Sequence, residues 1–298
     1  MTGPRFAAIV VLHRSAPELA ALLASLARHG APDRLVVADA GPDDGGAALA
    51  RDAGAEVVAL PGDPGFGVAN NAALARIREP VTVLINPDCE LVDAGSLPAL
   101  VAAAAAAPRA LHVPRLLNTD GSPQRSAHPL PGTVGALLPA LVHPPLLPGP
   151  LRVRAEPHRA EAPRTVGWAI AACLAADTAL LRELGPFDPA IHLFAEDMDL
   201  GLRARERGVP TVLHPALRIR HAGGHSTLRD GEPFALLARQ RRVVVRARRG
   251  RPAAVLDDAA QALTFGMRLA AKRALGRPAA RERAQLAALA AARGSDPL

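Results

Sequence analysis

Phe6-Ala7-Ala8-Ile9-Val10-Val11-Leu12 is a continuous apolar run with three β-branched members. A run this short and this apolar reads as a buried strand. The same signature returns at Arg34–Asp39, Glu56–Leu60 and Val81–Ile85. Between these runs lie helical stretches: Ser15–Arg28, with Leu19, Leu22, Leu23 and Leu26 on one face, then Ala47–Ala53 and Phe66–Arg78. Strands alternating with helices predict βαβ units and a parallel sheet, hence an α/β fold.

Ligands of open α/β sheets bind beyond the carboxyl ends of the strands. Asp39 and Asp88 both stand at such ends. A single acid after a strand is ordinarily a turn former or helix cap. Two of them on neighbouring strands are more than capping requires.

Further along, residues 95–107 form an Ala-rich helix and Leu111–Leu117 a strand, with a turn at Asn118–Ser122. Residues 128–163 are rich in Pro and Leu without a period, which predicts a long loop or lid over the cleft. Val166–Ala175 reads as one strand, and Asp177 as the cap of a helix ending near Leu184. Thr211–His214 and Leu217–His221 read as two short strands. From residue 232 on, Ala, Leu and Arg fill three helical patches, separated near Gly250-Arg251-Pro252 and Gly276-Arg277-Pro278.

Phe194-Ala195-Glu196-Asp197-Met198-Asp199-Leu200 enters a short helix stopped by Gly208 and Pro210. Three carboxylates at its start suit the partial positive charge of the helix N-terminus. Glu196 and Asp197 point about 100° apart on a helix, so only one is expected to face a given substrate. Asp199 and Arg203, at i and i+4, are expected to pair on the outer face. Taken alone, the stretch is as readily a charge cluster on a surface helix as a site.

Bulk composition narrows the class. The chain has 298 residues, 49% of them hydrophobic but only 2% aromatic, so its core is packed with Ala, Val and Leu. The net charge of +7 is concentrated: residues 230–298 carry 14 basic against 6 acidic side chains, and residues 1–229 are nearly neutral. Such a tail suits an anionic membrane surface or nucleic acid. It lacks the interleaved aromatics that stack on bases, which disfavours nucleic acid. Cys89 and Cys173 are too few for a zinc site of their own and suggest no disulfide framework, leaving a reduced, cytoplasmic compartment as the default. The first apolar run is too short for a signal sequence. The longest apolar candidate, Val134–Leu151, is broken by five prolines, so no membrane-spanning helix is expected.

The order of motifs resembles the family 2 glycosyltransferases with the GT-A fold, particularly their bacterial rhamnosyltransferase-like members. The similarity covers roughly residues 6–250. It is carried by Gly65-Phe66-Gly67-Val68-Ala69-Asn70-Asn71, Leu84-Ile85-Asn86-Pro87-Asp88, Gly185-Pro186-Phe187-Asp188, the Phe194–Leu200 stretch and His221-Ala222-Gly223-Gly224. Each is weak alone; five in this order are specific. The resemblance implies a mixed sheet flanked by helices, a nucleotide-sugar domain over residues 1–229 and a basic helical extension over 230–298. Within the domain, residues 1–117 would hold the nucleotide sugar and 118–229 the acceptor and the catalytic groups.

The resemblance further implies inverting transfer of a sugar, rhamnose being one candidate, to a lipid-linked or polysaccharide acceptor in cell-envelope glycan synthesis. It assigns Asp39, Asp44, Gly67, Asn71, Asn86 and Asp88 to the nucleotide sugar, with a dTDP- or UDP-sugar as donor. Asp88 and His221 would hold Mg²⁺ or Mn²⁺. Asp197 would be the general base, oriented by Glu196, and Trp168 would lie on the acceptor side. A carboxylate paired with an imidazole favours Mn²⁺ over Mg²⁺, which prefers an all-oxygen shell. The basic extension would hold the enzyme at the inner face of the membrane through peripheral contact.

Several positions depart from the family pattern. Leu12-His13-Arg14 stands where Thr-Tyr-Asn is usual, Ala40 and Pro42 replace Asn and Ser, Ala171-Ala172 replaces Gly-Ala, and Ala73 replaces Gly. These lie around the nucleotide and acceptor pockets and leave the donor open. They also leave open a second reading, a non-catalytic nucleotide-sugar-binding subunit of the same fold. His225-Ser226-Thr227 is either a loop that orders over the diphosphate or a plain linker.

Overall fold

The computed structural model describes residues 3–142, 146–223 and 232–294. Its first part alternates as the hydrophobic runs predict: β1 (Phe6–Leu12), α1 (Ala16–His29), β2 (Arg34–Asp39), α2 (Gly46–Asp52), β3 (Glu56–Ala59), α3 (Phe66–Leu74) and β4 (Val81–Ile85). Then come β5 (Cys89–Leu91), α4 (Ser96–Ala106), β6 (Leu111–Leu117), β7 (Ala127–His128), α5 (Val134–Leu141) and α6 (Gly149–Ala155). β8 (Arg164–Val166), β9 (Trp168–Ala169), β10 (Cys173–Asp177), α7 (Thr178–Leu184), α8 (Glu196–Glu206) and β11 (Thr211–His221) lead to α9 (Phe234–Ala274) and α10 (Ala280–Gly294).

The main sheet runs β3-β2-β1-β4-β10-β6-β11-β5, with β8 also beside β11. β3, β2, β1 and β4 are parallel, whereas β10 is antiparallel to both β4 and β6, which makes the sheet mixed. Along β1, Ile9 packs with Val36, Leu84 and Leu200 on one face, and Val10 packs with Leu19, Val37 and Leu97 on the other. Both faces of the strand are covered, which is why its sequence is apolar without alternation. Each aliphatic side chain buried this way contributes about 1.5–3 kcal/mol, so the layers need few aromatics.

Residues 128–163 are not an unstructured lid. They include α5 and α6, and none of the described residues among them borders the cleft described below. The helices are short, and Pro139 lies inside α5 and Pro150 in the first turn of α6, so neither shows a readable period. The expected strand Val166–Ala175 is three strands, β8, β9 and β10. The chain bends at Gly167, where a Cβ would lie 2.2 Å from the Leu130 nitrogen. The two short strands ending at His221 are one strand, β11, with an irregular register between His214 and Arg218.

The C-terminal patches are helical and break near the two Gly-Arg-Pro sequences. Gly250 has φ 82 and ψ 169, so α9 is two helices folded back on each other. Arg241 then meets Asp257 at 2.7 and 2.8 Å, and Arg242 meets Asp258. α9 packs on α8, α5 and α10. No helix among the described residues is long and apolar enough to cross a membrane.

Candidate active site

A cleft of about 870 Å³ opens beyond the carboxyl ends of β1 and β4, at the start of α8. One end is built by backbone pairing. β11 runs antiparallel to β5 with His221 opposite Cys89, which brings His221 beside Asp88. His221 Nε2 stands 3.3 Å from Asp88 Oδ1. The Gly223 N–H donates to Asp88 Oδ2 at 2.9 Å, and the Ala222 N–H donates to the Asp88 carbonyl at 3.0 Å. Burial pushes the Asp88 carboxyl up, but the His221 hydrogen bond and charge, with the Gly223 N–H, outweigh it and hold it below its ordinary value.

Gln124 fixes the imidazole. Its Nε2 donates to the His221 carbonyl at 3.1 Å, so its Oε1 is the atom facing His221 Nδ1 at 2.8 Å. Nδ1 therefore carries the proton that Gln124 accepts, and the other ring nitrogen is turned toward Asp88. With Nδ1–H held by Gln124, Nε2, which meets Asp88, is the ring nitrogen left to bind a cation in place of its own proton, as in a metal-binding histidine. Cys89 Sγ lies within 4.8 Å of both groups. Burial, with Cys173 and Asp88 nearby, pushes its thiol well above the ordinary value, and it donates to the Ala172 carbonyl at 3.2 Å. The donor set is thus one carboxylate and one imidazole, with room for substrate oxygens, and it fits a divalent cation.

The opposite end is built at the N-terminus of α8. Phe194 and Ala195 both take left-handed backbone conformations, φ 66 and 67. Such φ values cost non-glycine residues about 1–3 kcal/mol each and cluster where a chain must present particular side chains. Here they swing the chain into α8 so that Glu196 and Asp197 both border the cleft. The expectation that only one would face it does not hold, because the cavity wraps around the helix end. Burial raises both carboxyls, and Glu196 is raised further by the Asp197 charge. The N–H groups of Met198 (2.7 Å) and Ala171, together with Arg241, favour ionised Asp197. Glu196 Oε2 is buried without a partner. The two share one negative charge, and it belongs on Asp197.

Trp168 also borders the cleft. It is 8% exposed, stacks on His128 at 4.1 Å, and lies under Arg241, whose guanidinium carbon is 6.0 Å from the ring centroid. Its indole N–H has no protein partner. Arg241, Phe234, Leu237 and Phe265 of α9, with Arg281 and Leu289 of α10, complete the far wall.

Asp199 is not on an outer face. It is 2% exposed and accepts from Arg203 Nε at 2.7 Å and from Arg248 Nε at 2.7 Å. It ties α8 to α9, an attachment that i,i+4 spacing cannot show.

The remaining sequence assignments divide. Asn86 and Asp88 border the cleft. Asp39 is half-buried at the end of β2, next to Ala40, which borders the cleft; burial raises its carboxyl, and Asp44 and Asp43 add to that. Asp44 has both oxygens committed, to Ala16 N at 3.0 Å and Gly46 N at 2.9 Å, so it holds the starts of α1 and α2. Gly67 and Asn71 serve the fold. A Cβ on Gly67 would meet Phe187 Cβ at 2.8 Å, and Asn71 exchanges hydrogen bonds with the Phe187 carbonyl (2.8 Å) and N–H (3.2 Å). These contacts anchor the loop that leads to Glu196, while Gly65 and Phe66 border the cleft itself. His225, Ser226 and Thr227 lie outside the described residues.

Two residues of the site carry no signal in the sequence. Gln124 follows the turn read at Asn118–Ser122 with no motif of its own, and Arg241 is one arginine among many. Arg14, where the family pattern is broken, borders the cleft with φ 54.

Known proteins agree with this architecture. A curated relative from Mycobacterium tuberculosis, named N-acetylglucosaminyl-diphospho-decaprenol L-rhamnosyltransferase, is 29% identical over 238 residues, covering 74% of this chain and 77% of its own. The mannosyltransferase PcManGT from Pyrobaculum calidifontis, solved with GDP-Man and Mn²⁺, superposes with a TM-score of 0.64 at 16% identity, over 99% of this chain and 87% of that one. GalNAc-T7, solved with UDP, GalNAc and Mn²⁺, gives 0.60 at 15% identity over 82% of this chain. The present chain spans about half of that protein, 48%. At these identities the two structures share the GT-A fold. The family described as "Glycosyltransferase like family 2" matches residues 4–246. The chain belongs to the family 2 glycosyltransferases.

Proposed function

We propose that the chain is a metal-dependent, inverting glycosyltransferase acting on a lipid-linked acceptor. The observation that carries this reading is that a carboxylate–imidazole pair, Asp88 and His221, and a half-buried carboxylate, Asp197, border one cleft. Asp88 and His221 would hold Mg²⁺ or Mn²⁺, and such an ion offsets the charge gathering on a departing diphosphate. The presence of Mn²⁺ in both solved relatives named above supports the choice of a divalent metal.

The acceptor hydroxyl attacks the anomeric carbon from the face opposite the leaving group. As the new C–O bond forms, its proton passes to Asp197, and the bonding electrons of the old C–O bond leave with the nucleoside diphosphate. Glu196, kept neutral by burial, leaves Asp197 as the charged member of the pair. Asn86 and the Gly65-Phe66 turn flank the donor, a dTDP- or UDP-sugar, while Asp39 approaches from the end of β2. Trp168, which borders the cleft beside Arg241, would lie on the acceptor side. The name of the curated relative supports rhamnose as the sugar and a polyprenyl-diphosphate acceptor.

On this reading residues 1–117 hold the nucleotide sugar and 118–229 carry the base and the acceptor side. Residues 230–298 close the acceptor side and supply the membrane contact. The test is thermal stabilisation by dTDP-, UDP- and GDP-sugars with and without Mn²⁺, followed by a transfer assay with the nucleotide that binds. One nucleotide should raise the melting temperature only when metal is present, by mass action on the folded state. Metal-independent stabilisation, or binding with neither transfer nor donor hydrolysis, would favour the non-catalytic reading.

A further inference from the structure

Among the described residues, the large apolar side chains that stand exposed all fall in two segments, 134–151 and 237–275. Val134 is 68% exposed, Leu141 54%, Leu146 76%, Met267 49% and Leu275 67%. The rest of the described chain shows none. The two segments are distant in sequence but adjacent in space. α5 packs on α9, and a Cβ on Gly132 would lie 2.5 Å from the Ala253 carbonyl oxygen. Beyond the Gly250 break, a cavity is lined together by Pro139 and Ala140 of α5, Arg152 and Val153 of α6, and Met267 and Arg268 of α9.

The same surface is cationic. α5, α6 and α9 beyond Gly250 hold six Lys and Arg, namely Arg152, Arg154, Arg251, Arg268, Lys272 and Arg273, against two acids, Asp257 and Asp258. Both acids are buried and paired with arginines. Arg152, Arg154, Arg268 and Arg273 are exposed among the apolar side chains. Exposed aliphatic groups interspersed with arginines match the interface of an anionic bilayer, with acyl boundary below and phosphates above. They do not match a second copy of the chain, because a two-fold contact would set this cationic face against itself.

We infer that α5, α6 and the outer face of α9 beyond Gly250 form one membrane-docking surface for anionic lipid. Docking then depends on apolar insertion at residues 134–151 as well as on charge in the C-terminal extension. α9 joins this surface to the site, since its first half borders the cleft through Leu237 and Arg241. A membrane-borne acceptor would thus be met beside the catalytic wall. This last step rests on the lipid-linked acceptor reading; the docking surface itself does not.

The experiment is co-sedimentation of the full chain with vesicles of phosphatidylcholine containing phosphatidylglycerol, and with phosphatidylcholine alone. Leu141→Glu and Leu151→Glu combined, both at exposed sites, should weaken binding to the anionic vesicles by roughly tenfold or more. Met267→Glu with Arg268→Glu should do the same from the other segment. Melting temperature and donor hydrolysis in solution should stay unchanged for both, which separates loss of docking from loss of fold. Unchanged vesicle binding by either double variant would overturn the inference. So would a wild-type dimer in light scattering that the Leu141→Glu, Leu151→Glu protein converts to monomer. Absence of transfer to a lipid acceptor, with vesicle binding retained, would contradict the proposed acceptor and leave the docking surface standing.

Discussion

The end of the cleft at Asp88 and His221, proposed to hold the donor, and the far wall, proposed to face the acceptor, are assembled by different means. Asp88 stands immediately before β5 and His221 ends β11, and the antiparallel pairing of His221 with Cys89 brings the two within 3.3 Å. The far wall comes from α9 and α10, residues 234–294, and is pinned to the body in part by the buried Asp199 of α8, which pairs with Arg248 of α9 as well as with Arg203 of its own helix. A ladder of backbone hydrogen bonds tolerates the loss of one side chain. A helical hairpin docked through a few charged pairs does not, because removing one partner leaves the others uncompensated. The contrast predicts that side-chain changes at the Asp88 and His221 end alter chemistry with the fold kept, and that changes in the far wall alter stability.

The sharpest use of that contrast is at Gln124. Replacing it with Leu removes the acceptor that fixes His221 Nδ1–H and the donor to the His221 carbonyl, while the ladders of β11 with β5 and β6 remain. Changes of this kind cost roughly 10–100-fold in metal affinity. The expected outcome is a shift of that size in the Mn²⁺ dependence of turnover, with an unchanged melting temperature. Unaltered Mn²⁺ dependence would mean that the strand register alone orients the imidazole.

An effect of similar size, and the opposite kind, is expected at Asp199. Asp199→Asn withdraws the charge between Arg203 and Arg248, both partly solvent-accessible, and should destabilise the protein by about 2–3 kcal/mol. Thermal unfolding should show the loss, while Mn²⁺-dependent nucleotide binding at low temperature is retained. If stability is unchanged, α9 is held by its apolar contacts with Met198, Leu202 and Trp168.

The same division governs how far the sequence could be read. Asp88, Asp197 and His221 each sit at the end of a strand or the start of a helix whose limits are marked by short-range patterns, so their places follow from local rules. Gly67 and Asn71 were legible as a motif, but their packing against Phe187 was not. Their partners at Phe187 are more than a hundred residues away, and the hydrogen bonds show them bracing a loop. Gln124 could not be found, because a glutamine following a turn has no local signature of the histidine it meets. α5 and α6 were hidden by their prolines and short length. The far wall was hidden because an Arg- and Ala-rich sequence does not indicate which of its arginines turns inward. Arg241 does so only because the hairpin at Gly250 places Asp257 against it.

The central claim is that Asp197, not Glu196, takes the proton of the acceptor. The measurement that tests it most directly is turnover of Asp197→Asn beside its Mn²⁺-dependent nucleotide binding, at a pH where the wild type is fully active. The account predicts that turnover falls by about a thousandfold, within the range for loss of a general base, while binding and melting temperature stay at the wild-type level. Full turnover by a folded Asp197→Asn protein would contradict it.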